Sequence, residues 1–237
     1  MKRLYLLLLI APLLAGCLGA APPVPRDHYY RLLVPEPVAR SAQPVLPGVM
    51  SVELLQADGL LRERPLLYSE SGASHEVQQH DYHYWTDAPP RMLQDQLVAY
   101  LRRSGLATSV VTPDMRIRAQ YQVSGKIRRL ERLLGGGPPR VAVEMELALV
   151  RLSDNRLVLV DSFSEEAVIE QDGIAAAVLA LNRATGRVFE RFLARAIAAA
   201  SQIAVAAPVA LALGPFPAQS ESVNQIKEIR RRFEVDP

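Results

Sequence analysis

The sequence predicts an α/β fold, a mixed and largely antiparallel sheet with two main helices packed on one face. Three observations predict it. Residues 117 to 169 carry three long segments of period-two alternation joined by turn residues. Two segments, one after Asp87 and one from Gly173, carry apolar residues at helical spacing. Each pattern is apolar on one side only, so the sheet and the helices must cover each other. The 237 residues are 49% hydrophobic and 6% aromatic, which suits a packed core.

Taken in order, Tyr29 to Val34 reads as a first strand closed by Pro35 and Pro37, and Gly48 to Leu55 as a second. Arg64 to Ser69 reads as a third, although Pro65 weakens it. Glu76 to Trp85 is a fourth, rich in aromatic residues. Asp87 precedes Ala88, Pro89 and Pro90, so Asp87 is the expected cap and the prolines fit a first helical turn. Met92, Leu93, Leu97, Tyr100 and Leu101 then share one apolar face, and Gly105 ends the helix.

The clearest strand is Ile117 to Leu130. Ile117, Ala119, Tyr121, Val123, Gly125 and Ile127 alternate with Arg118, Gln120, Gln122, Ser124, Lys126 and Arg128. Gly135, Gly136 and Gly137 with Pro138 and Pro139 make a turn. Val141, Val143, Met145, Leu147 and Leu149 form the next strand; Asp154 and Asn155 turn the chain, and Leu157 to Ile169 returns. This is an antiparallel meander. The second helix runs from Gly173 to about Ala200, with Ile174, Val178, Leu181, Val188, Phe189, Phe192, Leu193 and Ile197 in one stripe.

The ends of the chain differ from this middle. Lys2 and Arg3 precede an apolar run from Leu4 to Leu14, then Ala15, Gly16 and Cys17, the one cysteine of the chain. A basic start, a short apolar run and small residues are the parts of a secretory signal peptide. A spanning helix needs about 20 apolar residues, and this shorter run contains Pro12. Leu14-Ala15-Gly16-Cys17 resembles the lipobox of bacterial lipoproteins, which implies cleavage before Cys17 and lipidation of its sulfur. The alternative is an ordinary signal peptide with a chance cysteine. Lipidation leaves no thiol for disulfide, metal or catalytic chemistry. Leu18, rather than Asp, after the cysteine implies by the same resemblance an outer-membrane anchor facing the periplasm.

Four parts follow: a signal at 1–16, an Ala/Pro tether at 17–26, a folded domain at 27–201, and an Ala/Pro linker with a polar tail at 202–237. In the tail Val223, Ile226, Ile229 and Phe233 sit at helical spacing, which predicts a short amphipathic helix. Without Lys2 and Arg3, the 25 remaining basic side chains equal the 25 acidic ones. Nothing in this balance points to nucleic acid, which needs a clustered basic face.

The residues carry no recognisable catalytic set and no cofactor site. Of the four histidines, His28, His75, His80 and His83, His80 and His83 lie three apart on an expected strand and should point to opposite faces, a poor metal pair that His75 does not repair. The triple glycine lacks the Gly-Lys-Ser/Thr of a phosphate loop, and no nucleophile elbow is present. Asp161, Glu165 and Glu166 read as a charged strand edge rather than as acid/base catalysts. Arg128, Arg129 and Arg132, and the run Arg230 to Arg232, read as solvated basic groups.

The block YHYWTDAPPRMLQDQLVAYLRRSG, residues 82 to 105, passes from an aromatic strand through an Asp and two prolines into an amphipathic helix. It resembles the ABC-type transport auxiliary lipoprotein family, which includes the lipoprotein of the paraquat-inducible system. The lipobox, Tyr29-Tyr30 with Leu32, Leu66 to Ser69, the meander, and Phe163-Ser164 before the last helix agree with it. The resemblance covers roughly residues 14 to 200. It implies a non-enzymatic subunit that works with an ABC permease, its ATPase and an MCE-domain protein to move lipids or other hydrophobic molecules. Tyr82, Tyr84 and Trp85 are then the expected partner-binding surface, and Cys17 the anchor. Homo-oligomerisation is compatible with such a module, but no residue carries it. A stand-alone lipid-binding lipoprotein is the alternative reading.

Overall fold

The computed structural model describes residues 25–38, 40–70 and 75–212, with side chains described as far as residue 202. The signal, Cys17, most of the tether, and residues 213–237 with the expected tail helix lie outside the described residues.

Among the described residues, eight strands form one mixed sheet: β1 (His28–Tyr30), β2 (Leu46–Val52), β3 (Pro65–Glu70), β4 (Gln78–Trp85), β5 (Ala107–Val111), β6 (Tyr121–Leu134), β7 (Arg140–Arg151) and β8 (Arg156–Val168). Helix α1 is Pro89–Ser104 and helix α2 is Ile174–Ala212. β6 is the spine. On one flank it pairs antiparallel with β7, which pairs antiparallel with β8. Its other flank is shared. β2 runs parallel to Tyr121–Val123, and β3 runs parallel to Glu131–Leu134. β5 lies outside β2; β4 and then β1 lie outside β3. The long ladders are antiparallel, and the shorter parallel ones make the sheet mixed, as the sequence predicts.

The meander forms because its alternation is strict. Val141, Val143, Met145, Leu147 and Leu149 all have essentially no exposure, while their neighbours Glu144, Glu146, Ala148 and Val150 stay partly in water. α2 covers this side with Val188, Phe189, Phe192 and Leu193, and α1 adds Leu93, Leu97 and Leu101. Phe163 meets Phe192 edge-on at 5.9 Å, and Tyr100 meets Phe189 at 5.5 Å. Each such side chain stabilises the fold by about 1.5–3 kcal/mol through burial.

Two glycines are required by close approach. A Cβ on Gly125 would stand 2.4 Å from the Glu146 carbonyl oxygen, so β6 and β7 could not pair there with any other residue. Gly105 takes φ 70 after α1, and its Cβ would meet the Ser41 carbonyl at 2.6 Å.

Four expectations are corrected and one strand is new. Asp87 is not the cap of α1; Ala88 holds that position, and Asp87 Oδ1 accepts a hydrogen bond from the Ala88 N–H at 2.8 Å. Ile117 and Ala119 precede β6 because Arg116, at φ 53, turns the chain; Ile117 is exposed. A bulge between Ile127 and Arg129 shifts the phase of β6, so Leu130 rather than Arg129 returns to the core. β5 is a strand that its five residues were too few to announce. α2 runs on to Ala212, past the end expected at Ala200. The Ala-rich chain beyond residue 200 favours helix strongly enough to override the linker expected from residue 202.

Candidate functional site

β1 is three residues long, and it docks parallel to β4 with His28 opposite His83, Tyr29 opposite Tyr84 and Tyr30 opposite Trp85. The sorting of these pairs follows from alternation. Trp85 is 1% exposed and sits in the core beside partly buried Tyr30. Tyr29 and Tyr84 therefore face the helix-free side, with ring centroids 5.7 Å apart. The Arg64 guanidinium lies over the Tyr29 ring at 5.3 Å. The Tyr29 hydroxyl donates to Asp27 at 3.1 Å, and that bond and charge raise its pKa.

Tyr82 breaks β4. It takes φ 60, a left-handed conformation uncommon for a bulky side chain. The β3–β4 register jumps there, with Pro65 opposite Tyr84 but Leu67 opposite Gln79. The bulge leaves Tyr82 41% exposed. It also overturns the expectation for the histidines. His80 and His83 do not point to opposite faces; their rings meet edge-on at 6.2 Å. His28 stacks on His83 at 5.1 Å, Tyr68 lies 4.5 Å from His80, and the Tyr30 hydroxyl bonds His83 Nδ1 at 2.9 Å.

His80 and His83 are both biased toward the neutral form. Burial, then the positive charge of Arg132, then His83 push His80 down to about 4. Burial and His28 lower His83. His80 Nε2 and Arg132 Nε are buried without a hydrogen-bond partner. Among the described residues no group of three His, Asp or Glu side chains is placed to hold a metal.

Of the expected surface, Tyr82 and Tyr84 reach solvent, and Trp85 does not. The expectation for Trp85 is corrected: its ring fills the core, and its backbone N–H donates to the Arg64 carbonyl at 2.7 Å. The carboxylates of β8 are occupied. Asp161 pairs with Arg195 at 2.9 Å, Glu165 with Arg187 at 2.5 Å and Arg191 at 3.2 Å, and Glu166 with Arg140 at 3.1 Å. Arg128 pairs with Glu146 at 2.9 Å and Arg129 with Glu131 at 2.7 Å, so the three arginines of that group do not act together.

Two features escaped sequence reading. Residues 31–38 cross the helices as a strap, with Leu33 N–H donating to Asn182 of α2 at 3.2 Å and Val34 N–H to Gln96 of α1 at 2.9 Å. Arg183, Arg187, Arg191 and Arg195 form a ladder along α2, one per turn. The four-residue spacing was visible, but the strand carboxylates that meet it were not.

The model of a protein family described as an ABC-type transport auxiliary lipoprotein component matches residues 30–198. The chain belongs to this family. The ABC-type transport auxiliary lipoprotein is thus a lipoprotein component of a transport system, held at a membrane of the cell envelope. Its fold is similar to the crystal structure of a protein from Xanthomonas campestris, at 20% identity and TM-score 0.65, over 75% of this chain and 99% of that one. It is also similar to the crystal structure of an uncharacterized protein, at 16% identity and TM-score 0.57, over 71% of this chain and 97% of that one. These likenesses show the fold alone. No curated protein matches the sequence. Among the described residues, no helix of this lipoprotein is long and apolar enough to cross a membrane.

Proposed function

We propose that this auxiliary lipoprotein is a non-catalytic docking subunit, anchored through lipidated Cys17 in the outer membrane and facing the periplasm. It receives the periplasmic part of an ABC/MCE-type system that moves lipids or other hydrophobic molecules. The observation that carries this reading is the family match over residues 30–198. Energy for transport comes from the partner ATPase.

Tyr82 and Tyr84, with Tyr29 beside them, form the docking surface. Tyrosine presents a large, rigid, amphipathic ring, which is why it anchors interfaces. Tyr82 is held out by a left-handed backbone conformation uncommon for a bulky side chain. Trp85 supports this surface from beneath.

The test is a crosslinked capture from intact envelopes with full-length, C-terminally tagged protein beside a Cys17→Ala control. An ABC permease or an MCE-domain protein should come down with the wild type and fall with the control. Recovery of the bait alone, well expressed and lipidated, contradicts the proposal.

A further inference from the structure

The helix side of the molecule has three layers: sheet, helices, and the strap of residues 31–38. The strap runs along α2, from Leu33 at Asn182 to Val38 at Glu190. Beside exposed Arg31 and Glu36 it carries exposed apolar side chains. Leu33 is 63% exposed and Val38 91%, and Leu179, one turn before Asn182, is 58% exposed.

Arginine surrounds them. As far as Gln202, α1 and α2 carry seven arginines against Asp95 and Glu190, and no lysine. Carboxylates from outside the helices meet this charge, but the ladder stands outermost. Arg187, Arg191 and Arg195 keep 45%, 47% and 64% of their side-chain surface in water, while Glu165 and Asp161 keep 22% and 37%. Glu170, paired with Arg183, is the more exposed exception. Glu36 answers Arg40 and Arg103 at the other flank of the strap. Along Arg187, Arg191 and Arg195 an approaching surface thus meets guanidinium groups before carboxylates.

We propose that this surface rests on an anionic lipid bilayer. Leu33, Val38 and Leu179 enter the interfacial layer, and the α2 arginines meet headgroup phosphates. Interfacial binding of this kind adds buried apolar area to attraction for anionic lipid. The guanidinium fork matches phosphate oxygens in pairs, which lysine does not do. This proposal rests on the family's lipoprotein character and needs no transporter partner. It leaves the Tyr29, Tyr82 and Tyr84 surface, on the helix-free side and at the sheet edge, turned away from the membrane.

Full-length lipidated protein in nanodiscs tests it. Val38→Cys or Leu157→Cys carries an environment-sensitive dye, and spin-labelled lipid quenches the dye on contact. The sulfur of lipidated Cys17 takes no label, so the introduced thiol reports alone. The Val38 probe should be quenched in discs containing phosphatidylglycerol and far less in pure phosphatidylcholine, with Leu157 unquenched in both. Replacing Arg187, Arg191 and Arg195 by Gln should weaken this contact by about fivefold per arginine. High salt on the parent chain should weaken it too, without any risk of misfolding. A Val38 probe as wet as the Leu157 probe, or indifferent to phosphatidylglycerol, overturns the proposal. A parent chain whose Cys17 takes label overturns the lipid anchor and this surface together.

Discussion

The β6–β7–β8 meander and the β1–β4 edge are built from strands of the same kind, yet they use alternation differently. In the meander, period two holds through β7 without interruption, and every second side chain is buried under α2. At the edge, Tyr82 interrupts it at φ 60, and the residues around it leave their expected sides. Strict alternation makes core. A single break in it puts a tyrosine into solvent and brings His80 to the same side as His83 and His28. The first arrangement serves stability, and the second costs stability at the place where we propose docking.

Substitutions can break or sharpen this contrast. The largest effect is expected in the meander's core. Phe192→Ala removes a fully buried ring in edge contact with Phe163 and should cost about 3–5 kcal/mol, read from chemical denaturation. Gly125→Ala should cost about 2–3 kcal/mol, because its Cβ falls 2.4 Å from the Glu146 carbonyl and one of the two strands must move. A neutral outcome there would mean that β6 and β7 are not paired as described.

From pH 6.5 down to about 4 the edge should answer to pH, while the Asp154 carboxyl of the meander, held down to about 2 by its hydrogen bond to Arg151, answers below that window. His80 is lowered from its usual 6.5 to about 4, mainly by burial and then by Arg132. A histidine whose pKa is depressed in the folded state binds fewer protons there than when unfolded. Its contribution is therefore complete above pH 6.5 and is lost as pH falls through the window down to about 4. Allowing for the part of the ring that water screens, the loss should be about 1–2 kcal/mol. His80→Gln should flatten the dependence in this window, and an unchanged profile would remove the buried neutral imidazole from the account. The smallest effect on stability is the most informative about role. Tyr82→Gly relieves a left-handed strain and should leave stability unchanged or raise it by up to about 1 kcal/mol, while capture of the transporter subunit falls.

Much of the fold was legible in the sequence because the meander and both helices obey simple periods. Val141 to Leu149 and the stripe from Val178 to Leu193 give their partners away by spacing alone. The partitioning of β6 between β2 and β3 was not legible, because both lie far away in sequence and pair with it over only three or four residues. The bulges at Tyr82 and after Ile127 were also hidden, since neither position holds a glycine or proline to mark it. At the candidate site the aromatic residues could be found, but their sides could not. Trp85 and Tyr84 are adjacent letters on opposite faces, and only the packing of β1 on β4 decides which one meets water.

The central claim is that the β1–β4 edge meets the transporter. The most direct test is a photo-crosslinking residue in place of Tyr82, in the full-length protein in intact cells, beside the same residue in place of Leu157. The account predicts crosslinks from position 82 to an MCE-domain protein or an ABC permease, and none to either from position 157. Crosslinks from position 157 alone, or to neither transporter subunit from position 82, would contradict it.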